Sequence, residues 1–490
     1  MQKISVDLLE PAIAFDRSFQ KCIGSCHAYL ALREDYREHL RKIQKEIGFK
    51  YIRFHGVLCD GVGIYNEDQE GKPYFNFQNL DKIYDFLLDN DIKPFVEFGF
   101  MPEQLASGQQ YCFKYKGYIS PPKDYGKWNS LINAFVRHCI ERYGLEEVIT
   151  WRFEVWNEPN LDYFWAGSME DYFALYSNTA DTVKRIDKRL KVGGPATAGN
   201  AWIQEIIDFC AKENTPLDFI SSHHYSADAV LDLNGNKTAV FTPQNLFTKT
   251  IKENTVDKVR NSIFNKAEIH YTEWNATPVH EDVYGKDSEF NPVFVLQTIK
   301  DAAGLLDSFS YWTFSDIFEE SGPGLTPFSG KYGLLNLHGI KKPVYHAFKF
   351  LSDMYDNEIP TYADSVRITK SLYGEYKILT WNMPEVETSD LTGGEWKLKE
   401  KKYDEVIRLK NINGTYRVKG YLVNRDNGNS FRKWQEMGSP QYLGKYDIEA
   451  LKKVSEPLCF VDKIETCEGA LDLCHTLSEC SFIYYTIETV

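Results

Sequence analysis

Trp151-Arg-Phe-Glu-Val-Trp-Asn-Glu-Pro159 decides the fold, because it reads as a buried strand that ends abruptly on a proton-active tip. Aromatic and β-branched residues favour a strand, and Pro159 cannot extend a hydrogen-bonded ladder, so the chain must break into a loop there. Glu158 therefore stands at the C-terminal end of a strand, where (β/α)8-barrel enzymes keep their catalytic groups. Packed against Trp156 and Phe153, its carboxyl would have the charged form disfavoured and its pKa raised, as a general acid requires. A single Glu after a strand is more often only a cap or an ion-pair partner, so the reading needs a second carboxylate.

Ala267-Glu-Ile-His-Tyr-Thr-Glu-Trp-Asn275 supplies it, as another apolar and aromatic run ending on a Glu beside Trp and Asn. Two strand-end glutamates fit glycoside hydrolysis, in which one carboxylic acid protonates the departing oxygen and one carboxylate attacks or stabilises the sugar. The Asn157-Glu158-Pro159 and Thr272-Glu273-Trp274 endings resemble those of the retaining barrel glycosidases, whose two glutamates follow the fourth and seventh strands.

Working outward, strands are expected at 22–27, 51–56, 93–100, 150–158, 191–196, 219–225, 267–275 and 308–316. Helices are expected near 32–47, 79–90, 124–143, 169–187, 200–213, 255–265, 290–306 and 344–355, with Gly48 as the cap of the first. Alternating β and α elements demand a parallel sheet, and eight rounds favour a closed barrel. No Gly-rich dinucleotide fingerprint follows the first strand. After about 356 the texture changes to period-two alternation, with Asn413-Gly414 reading as a tight hairpin turn between 407–412 and 415–422. The expected fold is a (β/α)8 TIM barrel over 15–343 with an accessory antiparallel β-sandwich over 344–490, which takes the N-terminal arm 1–14 as an added strand. Three long loops, 101–122, 226–254 and 317–340, follow strand C-termini and would wall a pocket for a chain end. Such loops equally serve subunit contacts, so a homo-oligomer is compatible with the sequence.

The 490 residues carry 56 Lys and Arg against 70 Asp and Glu, a formal charge of −14 that argues against nucleic acid or an anionic membrane as partner. Aromatic residues make up 15% of the chain, which suits a site for flat sugar faces, although most rings belong to the core. No apolar run is long enough to span a membrane. Ten cysteines follow no zinc or small-scaffold spacing, so most are expected to be free thiols; pairing among the four nearest the C-terminus is left open. The N-terminus lacks the apolar core and cleavage site of a signal peptide, so the chain reads as cytoplasmic. Neither a cofactor nor a metal is expected.

Around the glutamates, Arg53 at the end of the second strand would orient Glu273 and keep it ionised, or pair with Glu97 or Glu154 in the barrel interior; both can hold. His55 could donate to a sugar hydroxyl. Tyr225 is placed to donate to Glu273. Adjacent His223 and His224 point to opposite strand faces, and His224 is taken as the sugar ligand. Trp312 would floor the site, and Glu319 or Glu320 could accept bonds from sugar hydroxyls. Together with Gly24-Ser-Cys-His27, Ala31-Leu-Arg-Glu-Asp35, Arg53-Phe-His-Gly56, Glu97-Phe-Gly-Phe-Met-Pro102, Ser222-His-His-Tyr225, Tyr311-Trp-Thr-Phe-Ser-Asp316 and Trp434-Gln-Glu-Met-Gly-Ser-Pro440, these motifs make most of the chain similar to glycoside hydrolase family 39, the xylan β-xylosidase group. Cys26 departs from the smaller residue expected in the first of these motifs. The resemblance implies Glu158 as acid/base, Glu273 as nucleophile and Asn157 as donor to the sugar 2-hydroxyl. The expected activity is exo-hydrolysis of an oligosaccharide or glycoside by double displacement, releasing β-D-xylose. The alternatives are an α-L-iduronidase, which would need a Lys or Arg facing the uronate, or another exo-glycosidase of the same family, and a non-catalytic carbohydrate-binding barrel.

Overall fold

A computed structural model describes residues 2–231, 237–388, 396–399 and 401–490, so part of the long loop 226–254 lies outside the described residues. Its centre is a closed barrel of eight parallel strands: Cys22–His27, Tyr51–His55, Lys93–Phe98, Arg152–Val155, Lys191–Ala198, Phe219–Tyr225, Glu268–Asn275 and Ser308–Tyr311. Each pairs with its successor, and the eighth returns to the first with Tyr311 opposite Ile23. The fourth strand is shorter than the apolar pattern suggests, because Trp156 and Glu158 turn the backbone to φ 72° and 43° and end the ladder at Val155.

Helices cover the barrel close to the expected places, and their ends follow local chemistry. Asp124 accepts from the Lys127 N–H to start Tyr125–Tyr143, and Ser168 and Asp171 form a capping box for Met169–Ile186. Gly48, at φ 78°, donates to the Ile43 carbonyl and closes Glu34–Glu46. The sixth helix departs from expectation. It begins at Gln244 after Pro243, passes through a π-turn at Lys252–Val256 and finishes at Asp257–Arg260. Residues 252–254 are exposed and interrupt the apolar stripe, which hid its first half from a periodicity reading. Helix Pro343–Asp353, at the expected boundary of 343, packs on both sides: Phe348 meets Phe19, Phe49 and Tyr311 of the barrel, and Phe350 meets Tyr421, Phe482 and Tyr484 of the C-terminal region.

Beyond it, among the described residues, lie two larger sheets and a two-stranded pair of Val386–Thr388 with Lys397–Leu398. Seven antiparallel strands run in the order Ile13–Ala14, Asn357–Ile359, Val366–Lys370, Tyr376–Asn382, Ser481–Thr489, Thr415–Val423 and Leu458–Glu465. In the second sheet Tyr403–Lys410 pairs antiparallel with Ala470–Leu477, and Gln2–Asp7 joins as the added strand, in parallel. Val6, Ile407, Leu409 and Leu473 share a core with Ile368, Ile378, Val418 and Ile487. Asn413-Gly414 is not a hairpin turn, because the strands on either side belong to different sheets and the turn carries the chain between them. Alternation alone cannot say which partner a strand takes. This region also contains two helices not expected from the sequence, Ser430–Glu436 and Lys445–Val454. Phe431 and Trp434 of the first pack on Phe328, in the loop after the eighth barrel strand. All ten cysteines are free, the C-terminal four included. No helix among the described residues is long and apolar enough to cross a membrane.

Candidate active site

At the C-terminal ends of the barrel strands a cavity of about 430 Å³ opens, and Glu158 and Glu273 both face it. His55, Asn157, His224, Tyr225, Trp312 and Glu320 line it as well. Glu319 does not; it turns outward to pair with Arg33.

Arg53 is the hub beneath the pocket. Its Nε donates to Glu154 (2.7 Å), Nη1 to Glu273 (2.6 Å) and Nη2 to Asn157 Oδ1 (2.9 Å), with Glu97 also 2.9 Å from Nη2. The pairings with Glu273 and with the barrel-interior carboxylates weighed from sequence therefore coexist, since the guanidinium fork has five donors to distribute. Burial disfavours its charge, but Glu154, Glu97 and Glu273 outweigh that and raise its pKa. Because Arg53 can only donate, it takes the oxygen of the Asn157 amide and leaves the NH₂ group for the pocket. Replacing Arg53 with Met would strand three buried carboxylates without their cation. A loss of roughly 3–5 kcal/mol is expected, read as a lower denaturation midpoint; an unchanged midpoint would refute the hub.

The two pocket carboxyls differ in their partners. Glu273 takes Arg53 on Oε1 and the Tyr225 hydroxyl on Oε2 (2.8 Å), both donors to its charged form. Among the described residues the Glu158 carboxyl is hydrogen-bonded to His223 alone, with Nδ1 2.8 Å from Oε1. Burial pushes the Glu158 carboxyl up to about 7, against the pull of His55 and Arg53 and with help from Glu320 and Glu97. Burial raises Glu273 too, but His223, Arg53 and His55 oppose the shift. His55 is held by Glu97 at 2.6 Å and lies against Trp312, with ring centroids 4.8 Å apart. Burial lowers its pKa and Glu97 more than restores it, so the ring is raised overall.

Sequence reasoning missed His223. The alternation that sends Tyr225 toward Glu273 sends His223, two residues earlier, to the same face, so this signal was available. His224 leans the other way, its ring stacked on Phe247 at 4.5 Å, and reaches the pocket wall without touching either glutamate. Phe113, Leu161, Phe164, His280 and Tyr332 also line the cavity; they come from loops whose sequences carry no periodic signal. Glu158, His223 and Glu273 each offer a ligand atom within 4.8 Å of the others, the one metal-capable group among the described residues. Each residue already spends such an atom on a hydrogen bond within the site.

That same proximity places a carboxylate oxygen of Glu158 within 4.8 Å of one on Glu273. Retaining glycosidases separate their carboxyls by about 5 Å, whereas inverting ones leave about 6.5–9.5 Å for a water. A barrel-end pocket holding two carboxyls at this spacing, one of them raised to about 7, fits a glycoside hydrolase of the retaining type. The family model described as Glycosyl hydrolases family 39 matches residues 2–472. A β-xylosidase of Caldicellulosiruptor saccharolyticus is 41% identical over 93% of this chain and 92% of its own length. One of Geobacillus stearothermophilus is 38% identical over 97% and 94%. The crystal structure of a monomeric β-xylosidase from Caulobacter crescentus superposes with a TM-score of 0.91 at 33% identity, covering all of both chains. The chain belongs to glycoside hydrolase family 39.

Proposed function

We propose that this protein removes terminal β-D-xylose from short xylo-oligosaccharides or related glycosides, with Glu158 as acid/base and Glu273 as nucleophile. The carrying observation is the asymmetry of the carboxyl pair. Glu273, anchored by Arg53 and Tyr225, attacks the anomeric carbon while Glu158, protonated near neutrality, gives its proton to the leaving oxygen. Glu158, then ionised, deprotonates the water that releases the sugar with net retention. The Asn157 NH₂ group faces the 2-hydroxyl, Trp312 underlies the ring, and Glu320, 3.3 Å from His280, accepts from sugar hydroxyls.

The choice of xylose follows the relatives and the electrostatics of the lining. Among the described residues no Lys or Arg lines the cavity, while Glu320 adds a third carboxylate to it. A uronate would meet repulsion with no cation to pair with, which disfavours the iduronidase alternative. A panel of aryl β-xyloside, β-glucoside, arabinosides and iduronide tests the assignment. Highest kcat/KM is expected on the xyloside, and preference for the iduronide would overturn it. Binding without turnover on the whole panel would favour the non-catalytic reading.

A further inference from the structure

The proposed chemistry requires a proton to stay on Glu158 while Glu273, within a few ångströms, remains ionised. We infer that Thr272 and Glu154 are positioning residues for the acid: they hold His223 in the tautomer whose bare Nδ1 faces Glu158, a contact that Glu158 completes only as a proton donor. This rests on Glu158 being the acid.

The assignment follows hydrogen by hydrogen along a buried chain of four side chains. Glu154 receives Arg53 Nε at 2.7 Å on Oε2 and is held as an acceptor. Thr272 Oγ1 lies 2.9 Å from Glu154 Oε1 and has one hydrogen, which must go there. Toward His223 Nε2, 3.1 Å away, the threonine oxygen then offers only lone pairs, so Nε2 must carry a hydrogen. His223 is fully enclosed, and burial brings its pKa down to about 4 despite Glu273 nearby, so the ring is neutral and that hydrogen is its only one. Nδ1 is therefore an acceptor. It lies 2.8 Å from Glu158 Oε1 and 3.7 Å from Glu273 Oε2, so the hydrogen bond goes to Glu158.

Local backbone geometry makes the chain possible. Ser222 pairs with Tyr271 and His223 with Glu273, so Thr272 is the extra residue of a bulge in the seventh strand, which re-aims its hydroxyl and the carboxylate after it. The other titratable or charged groups facing the Glu158–His223 pair are Arg53 and His55 from the second strand, Glu97 from the third and Glu154 from the fourth. Tyr225 faces it from the sixth, Glu273 from the seventh, and Glu320 and Tyr332 from the loop after the eighth. Of these only Glu154 bonds the Thr272 hydroxyl, so Thr272→Val changes the partner of His223 without changing any charge.

In Thr272→Val the Nε2 hydrogen loses its acceptor, and the ring is free to move its hydrogen to Nδ1 and donate to ionised Glu158. The alkaline limb of kcat/KM should then shift to lower pH by about one unit, with Thr272→Ser restoring the original limb. A folded Thr272→Val enzyme with reduced kcat but an unmoved limb would overturn the inference and leave Thr272 a packing residue. If Thr272→Val does not fold, ¹⁵N spectra of imidazole-labelled unaltered enzyme decide. The His223 signals, identified by their loss in His223→Gln, should show Nε2 protonated and Nδ1 bare near neutral pH; a hydrogen on Nδ1 would refute the scheme. Glu158→Gln separates the two levels of argument. If it still hydrolyses poor leaving groups, the acid assignment itself fails; if it does not and the Thr272→Val limb is unmoved, only the tautomer lock fails.

Discussion

Glu273→Ala should lower kcat on an aryl β-xyloside by roughly 10⁴-fold or more, the scale on which removal of a covalent nucleophile is felt. Glu273 has no substitute in the pocket. Glu158 lies across the reacting bond, and Glu320 is tied to His280 and, at 3.7 Å, to His55. Removing the carboxylate also opens space beside Arg53 and Tyr225, whose donors then face a vacated anion site. Azide should enter from that side and yield the α-glycosyl azide, inverted relative to the substrate. Turnover near the unaltered rate, or an azide product of retained configuration, would remove Glu273 from the role.

Glu158→Ala should behave differently on each leaving group. Proton donation contributes about 10²–10⁴-fold, so hydrolysis of xylobiose should collapse by about that factor, while an aryl xyloside with a good leaving group should still form the glycosyl-enzyme. Azide should then attack the intermediate on the face that Glu158 no longer guards and give the β-glycosyl azide. Burial sets the Glu158 carboxyl at about 7, so kcat/KM of the unaltered enzyme should fall as pH rises through that value and the acid loses its proton. This alkaline limb should vanish in Glu158→Ala, and its persistence would assign it to another group. Opposite azide stereochemistry in the two variants is the most direct check that the carboxyls act from opposite faces of one sugar.

Much of this was legible in the residues themselves. Aromatic and β-branched runs recurring between amphipathic stretches specify eight strand-helix rounds, because period-two and period-3.6 patterns bury different faces. Acidic residues placed where such runs break mark the rim, since a strand end is where a polar side chain leaves the core. Tyr225 and Arg53 were set beside Glu273 by their places at strand ends, and both hydrogen-bond to it. Strand parity would have added His223, the partner of Glu158, beside His224, which lines the pocket. Glu319 and Glu320 could not be told apart, because adjacent residues in a loop without periodicity give no indication of which one turns inward.

By itself, then, the sequence determined the barrel and set two glutamates at its rim, with motifs that resemble those of a glycoside hydrolase family, since strand periodicity, chain breaks and residue chemistry are local properties. Only the tertiary structure decided that their oxygens approach within 4.8 Å, that one guanidinium serves Glu97, Glu154 and Glu273 together, and that a bulge at Thr272 brings His223 into the chain. It also decided which C-terminal strands share a sheet. The physical reason is the same in each case. Proton affinity and strand pairing depend on distance and burial among residues far apart in the chain, and no local pattern encodes those quantities.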